Sequence, residues 1–285
     1  MKNNFTDEFI ENIKKHVDPS KIDYIVVHHT EPDHSGSLYK VLEYAPNATI
    51  LASAIAIKYL KSIINKPFKS QIVKDGDFIS VGDKTIKFLS VPMLHWPDTI
   101  YSNIVESKIL LTCDSFGAHY ASKKTFYAEL DKTWKEQYGL AFKYYFDVIM
   151  GPFKPFVLKA LDKIANLDIE YICPSHGLIV DKTNIAEFKR LYKEWSTPAK
   201  KEAVSIIVPY VSAYGYTKQL ALAVVDEARK LNPKANVTAF DLAFDNMRRA
   251  IEDVQNCDIL IMGSPTLIGD ALPQIWQILT SLNPV

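Results

Sequence analysis

Apolar and polar positions alternate between two periods along this chain, one helical and one strand-like. Phe9, Ile10, Ile13 and Val17 recur at the spacing of one helical stripe, which predicts a polar amphipathic helix within Met1 to Asp18. Short β-branched runs follow between helical stretches: Tyr24 to Val27, Thr85 to Val91, Ile109 to Thr112 and Tyr171 to Cys173. After the amphipathic segment Asn184 to Glu194, the polar, proline-bearing stretch from Trp195 to Lys201 breaks the pattern. The pattern then restarts as strand Ser205 to Val208, helix Thr217 to Leu231, strand Val237 to Phe240, helix Met247 to Val254, strand Ile259 to Met262 and helix Pro273 to Leu282. Strand-helix units repeated in this way predict a doubly wound parallel sheet. The fold class is therefore α/β in two domains, 1–198 and 199–285.

Length agrees, since 285 residues amount to about two domains of roughly 100 to 200 residues each. Thirty-three basic residues balance thirty-three acidic ones, so no nucleic-acid footprint is expected. No apolar run approaches the roughly 18 residues of a membrane span, and Met1 to Asp18 reads as a polar amphipathic helix rather than a signal peptide, so a cytoplasmic protein is expected. Cys113, Cys173 and Cys257 are widely separated and form no Cys-x-x-Cys pair, which argues against a disulfide framework and a thiolate zinc site. Each reads as a small buried hydrophobe.

The chemistry concentrates at strand ends. His28-His29-Thr30-Glu31-Pro32-Asp33-His34 places three imidazoles and two carboxylates directly behind the first strand, a run costly to bury without a metal or partner charges. His95, Asp114 and His176 each follow another apolar strand within a few residues. Sites in α/β proteins gather where loops leave the carboxyl ends of strands, so these segments can converge. His29, Glu31, Asp33, His34, His95, Asp114 and His176 suffice for two ions if one carboxylate bridges. The mixed nitrogen and oxygen set suits iron, manganese or zinc, with its carboxylate weight leaning toward iron. His28 is placed behind the ligands, and His16 and His119 have no metal role in this reading.

In the second half, Tyr210 to Thr217 joins a strand to a helix and offers hydroxyls and backbone N–H groups at a helix N-terminus, a place suited to phosphate. Neither a Walker lysine nor a Gly-x-Gly-x-x-Gly run is present, which leaves a mononucleotide. The loop Gly263 to Asp270 follows the third strand, and the two loops together favour a flavin phosphate and ring site.

These residues resemble the flavodiiron protein family, the A-type flavoproteins, over nearly the whole chain. His29-x-Glu31-x-Asp33-His34, with His95, Asp114 and His176, matches the family's metal motif in a metallo-β-lactamase-like αββα domain. Ser212, Ala213, Tyr214, Gly215, Tyr216 and Thr217, with Ser264, Pro265, Thr266 and Leu267, look like the first two FMN loops of its flavodoxin-like domain. The resemblance implies one iron on His29, Glu31 and His95, a second on Asp33, His34 and His176, and a bridging Asp114. It further implies reduction of O2 to water or NO to N2O, FMN as electron relay, a rubredoxin-type donor, and a head-to-tail homodimer or dimer of dimers. Relative to the family the chain lacks N-terminal strands of the metal domain and stops after the third flavodoxin strand, short of the last FMN loop. A fragment with all its metal ligands and weak FMN retention is therefore expected. The alternatives are a binuclear zinc hydrolase, against which Glu31 and the flavin-type half speak, and a non-catalytic remnant.

Overall fold

A computed structural model describes residues 3–198 and 202–282. The chain divides into two compact units, Met1–Pro198 and Ala199–Val285.

Two sheets form the centre of the first unit. One is all parallel, in the order β1 (Tyr24–Val26), β2 (Thr49–Ala52), β3 (Lys69–Ile72). The other runs β4 (Phe78–Val81), β5 (Lys84–Ser90), β6 (Ile100–Ile104), β7 (Ile109–Leu111), β8 (Tyr171–Cys173), β9 (Val180–Asp181). It is antiparallel except where β7 and β8 pair in parallel.

Successive strand residues point to opposite faces, and that alternation builds the layers. On β2, Leu51 packs with Phe88 of β5 and Ile100 of β6 between the sheets. Its neighbour Ile50 turns outward to Ala56, Ile57 and Leu60 of α4 (Ala54–Ile64). On the opposite sheet, Leu89 and Tyr101 face away from Leu51. They join Tyr138 and Phe142 of α5 (Lys132–Tyr145), Val157 and Ala160 of α6 (Lys154–Lys163), and Phe188 and Tyr192 of α7 (Lys182–Ser196). The result is an αββα sandwich. Ser53, Asp131 and Asp181 cap α4, α5 and α7 by accepting backbone N–H bonds, each cap contributing about 1 kcal/mol. The remaining helices, α1 (Thr6–Lys14), α2 (Pro32–Ser35) and α3 (Leu38–Tyr44), lie at the start of this unit.

In the second unit β10 (Ser205–Tyr210) lies between β11 (Asn236–Asp241) and β12 (Ile259–Leu260), all parallel. Ile206, Val208 and Tyr210 pack with Ala221 and Val225 of α8 (Tyr216–Leu231). Ile207 and Val211 face the other way, toward α9 (Met247–Gln255) and α10 (Pro273–Ser281). Helices thus cover both faces, as the strand-helix repeat predicts.

Three expectations need correction. The first α-helix ends at Lys14, so Val17 lies beyond it and is exposed rather than on the apolar stripe. Trp195 and Ser196 belong to α7, because Trp195 packs on Phe142 and Phe146 and extends the helix past the expected break. The strand expected over Ile259 to Met262 is regular only at Ile259–Leu260, with Ile261 N–H still donating to the Ile207 carbonyl at 3.0 Å. Met1, Lys2, Ala199, Lys200 and Lys201 lie outside the described residues.

Candidate metal centre

Four chain segments carry the site, each leaving the carboxyl end of a strand. Behind β1, the His28 carbonyl accepts from Ile100 N–H at 2.9 Å, tying the loop to the opposite sheet. Pro32 opens the short helix α2 with its φ already helical, so Asp33 and His34 follow on one turn. Ser35 Oγ donates back to the Thr30 carbonyl at 2.8 Å, and Thr30 Oγ1 donates to the buried Asp98 at 2.7 Å. His95, Asp114 and His176 enter after β5, β7 and β8.

All seven expected donors come together, in two halves that share one carboxylate. Asp114 Oδ2 lies 3.5 Å from His29 Nε2 and 3.2 Å from His95 Nε2. Glu31 Oε2 completes that half at 3.5 and 2.9 Å from the same two nitrogens. Asp114 Oδ1 lies 3.1 Å from His34 Nε2 and 3.4 Å from His176 Nε2. Asp33 Oδ2 stands 3.5 and 3.2 Å from those nitrogens. His29 and Asp114 are buried, whereas Glu31, Asp33, His34, His95 and His176 retain some exposure.

Electrostatics follow from crowding acids and imidazoles in a poorly hydrated place. Burial alone would lower His95, but Asp114 and Glu31 outweigh it and carry the imidazole up to about 9. Burial would likewise raise Asp114, yet His34 and His95 hold it well below the usual carboxylate range. Contacts from His29 and His95 do the same for Glu31. A proton on His95 thus balances these carboxylates where a cation could. His29 Nε2, Asp33 Oδ1 and Asp114 Oδ1 are nevertheless buried without a hydrogen-bond partner among the described residues. Unsatisfied donor atoms of this kind, converging from four segments, fit metal ions.

A cavity of about 770 Å³ reaches this cluster, lined by Asp33, His34 and His176 and by apolar Phe9, Val27 and Leu38. Trp96 stacks over His29 with ring centroids 6.1 Å apart, and Phe153 lies 6.5 Å from His95.

Sequence reasoning missed several neighbours. Cys113, expected as a mere hydrophobe, places Sγ 2.9 Å from His29 Nδ1. Its position immediately before Asp114 at a strand end was the available signal. Cys173 and Cys257 are only partly buried. His28 bonds Ser102 Oγ at 2.9 Å, and burial pushes its imidazole down to about 4. His119 packs edge-on against His176, with centroids 5.4 Å apart.

In the second unit the two expected flavin loops leave adjacent strands and are stitched together. Val211 N–H donates to the Gly263 carbonyl at 2.9 Å, and Gly263 N–H to the Pro209 carbonyl at 3.0 Å. A Cβ at Gly263 would stand 3.1 Å from Tyr210 Cβ, so the close approach favours glycine. Ser212 Oγ accepts from Gly215 N–H at 3.0 Å, and Gly215, at φ +86°, starts α8. Ala213 and Thr217 complete that loop, with Tyr214 and Tyr216 strongly exposed. Ser264 Oγ accepts from Leu272 N–H at 3.0 Å, shaping the loop that carries Pro265, Thr266 and exposed Leu267. A helix N-terminus beside exposed aromatic rings fits a phosphate and a planar ring.

Residues 2–177 match the family model described as ODP family beta lactamase. The chain is 37% identical to the flavo-diiron protein FprA2 of Clostridium acetobutylicum, over 99% of its own length and 70% of that protein. It is 32% identical to the type A flavoprotein fprA of Rhodobacter capsulatus, over 99% of its own length and 65% of that protein. The flavodiiron protein of Giardia intestinalis superposes with a TM-score of 0.67 at 28% identity, covering 99% of this chain and 68% of that one. Rubredoxin oxygen:oxidoreductase of Desulfovibrio gigas gives a TM-score of 0.67 at 26% identity, covering 99% and 70%.

Proposed function

The chain belongs to the flavodiiron protein family, and from that premise we propose that it is an oxidoreductase reducing O2 to water, NO to N2O, or both, at a non-haem diiron centre served by FMN. The observation that carries this reading is the division of the seven donors into two halves about the two oxygens of Asp114. His29, Glu31 and His95 would hold one ion, Asp33, His34 and His176 the other, and Asp114 would bridge them. Bound there, two ferrous ions supply a position for the diatomic and electrons for its reduction, with FMN relaying electrons from a donor.

The remaining contributions come from the protein itself. Two nitrogens and a carboxylate on each side, plus one oxygen each from the shared Asp114, would leave coordination positions open. The cavity with apolar Phe9, Val27 and Leu38 on its wall admits a small uncharged molecule. Trp96 packs beside His29 and Phe153 beside His95, placing apolar surface on that side of the cluster. In the second unit, Ser212 to Thr217 would take the flavin phosphate at the start of α8, and Ser264 to Leu267 would border the ring. A rubredoxin-type donor and a head-to-tail homodimer complete the proposal.

Iron and flavin content of the purified chain, followed by O2 and NO consumption with a reduced rubredoxin as donor, test this directly. Two irons per chain and donor-dependent gas consumption are expected. Zinc with ester or lactam hydrolysis, and no gas reduction after iron reconstitution, would overturn it in favour of a binuclear hydrolase.

A further inference from the structure

Two consecutive residues grip both nitrogens of one imidazole. Cys113 Sγ lies 2.9 Å from His29 Nδ1, and Asp114 Oδ2 lies 3.5 Å from His29 Nε2. Neighbours on an extended strand would point to opposite faces and could not do this. The backbone resolves the difficulty at Cys113, whose φ of +51° is uncommon for a residue other than glycine. Hydrogen bonds brace the turn from the adjacent strand end: Ser175 N–H donates to the Cys113 carbonyl at 2.6 Å, and Thr112 N–H to the Cys173 carbonyl at 3.2 Å. Both partners are sealed from solvent, with His29 0% and Cys113 1% exposed.

We propose that Cys113 is a positioning residue that accepts a hydrogen bond from His29 Nδ1–H, fixing the tautomer and tilt that leave the Nε2 lone pair for a metal ion. The inference rests on the metal reading above, and its physical content is separate. A neutral imidazole carries one proton. If the proton sits on Nδ1 and points at sulfur, Nε2 is free to ligate. If the thiol instead donates to Nδ1, the ring proton occupies Nε2 and blocks the ion. His29 Nε2 is buried, lacks a hydrogen-bond partner among the described residues, and faces Glu31 and Asp114. That orientation requires the first arrangement whenever a metal is bound. Metal-bound histidines usually give this second proton to a carboxylate, a backbone carbonyl or water. Sulfur is a weaker acceptor, so it orients the ring while adding less electron density to it.

The test compares Cys113→Ala, which removes the acceptor, with Cys113→Ser, which keeps one. A β-branched replacement is avoided because it would strain the left-handed turn. Histidine 15N shifts of the metal-free chain read the tautomer, chelator competition reads metal affinity, and thermal unfolding of the metal-free variants checks folding. The wild type should show His29 protonated at Nδ1. Cys113→Ala should bind one of its two ions about 10- to 100-fold more weakly, the range seen when such outer partners are removed. Cys113→Ser should recover most of that loss.

A folded Cys113→Ala chain with unchanged affinity and tautomer overturns the proposal and leaves the metal centre standing. A wild-type chain that binds no metal overturns both. A sulfur-to-iron(III) charge-transfer band that vanishes in Cys113→Ser makes Cys113 a direct ligand and overturns the positioning role.

Discussion

The donor cluster of the first unit and the paired loops of the second use opposite strategies at equivalent places, the carboxyl ends of strands. In the first, side chains carry the chemistry, and His29 and Asp114 are almost wholly sealed off. In the second, backbone N–H groups and a glycine turn shape the loops, and Tyr214 and Tyr216 stand 86% and 74% exposed. The difference teaches that a metal site stores its cost inside the folded chain as crowded charge. A site for a bulky ring leaves its apolar surface waiting for the ligand.

The strongest way to break this contrast is Asp114→Asn. Removing the shared charge should lower bound iron from two to below one per chain and gas consumption by at least about 100-fold, while leaving FMN binding unchanged, as elemental analysis and flavin fluorescence would show.

Acid distinguishes the two units next. His28 is half-buried against Ser102, and loss of hydration pushes its imidazole down to about 4 from an ordinary 6.5. The neutral ring therefore contributes its full stability above about pH 6.5 and loses it as pH falls toward 4, on the order of 3 kcal/mol. Urea unfolding of the metal-free chain should show that loss in the first unit, and His28→Gln should flatten it.

Metal stripping should act on a similar scale. An ion present at 100 times its dissociation constant stabilises by about 2.7 kcal/mol, so chelation should lower the first unit's thermal transition and leave the second unit's in place. A joint shift of both transitions would show that the units are energetically coupled.

The smallest effect belongs to the loops. Tyr214→Ala or Tyr216→Ala should weaken FMN by up to about tenfold, the size of one lost aromatic contact, with iron content unchanged in elemental analysis. Equal FMN affinity in both variants would remove these rings from the flavin site.

Sequence and structure agree where chemistry and periodicity say the same thing. His29, His95, Asp114 and His176 were legible as potential donors because each follows a short apolar strand closely. The layers were legible because Ile50 and Leu51 alternate between faces. What escaped depends on long-range packing. Apart from its place next to Asp114, Cys113 is locally indistinguishable from a core thiol, since its left-handed turn is imposed by bonds to the Cys173 to Ser175 segment rather than by a glycine. Thr30 and Asp98 are 68 positions apart in sequence, and only the assembled sandwich makes them partners. The first helix was overextended for the converse reason, because Val17 fits the stripe but finds no core to face.

The two rims of the larger sheet have unequal freedom to change. β6 turns into β7 through the segment ending at Lys108, and α6 leads to β8 past Asp168, whose carboxylate pairs with Lys108 at 2.8 Å. Both connections lie at the end away from His95, Asp114 and His176. Residues spliced in there lengthen solvent-facing turns and move no donor, whereas one residue added within β7 or β8 carries its donor along by about 3.3 Å and reverses its facing. A lineage can therefore decorate one rim of this sandwich freely while the other holds its register.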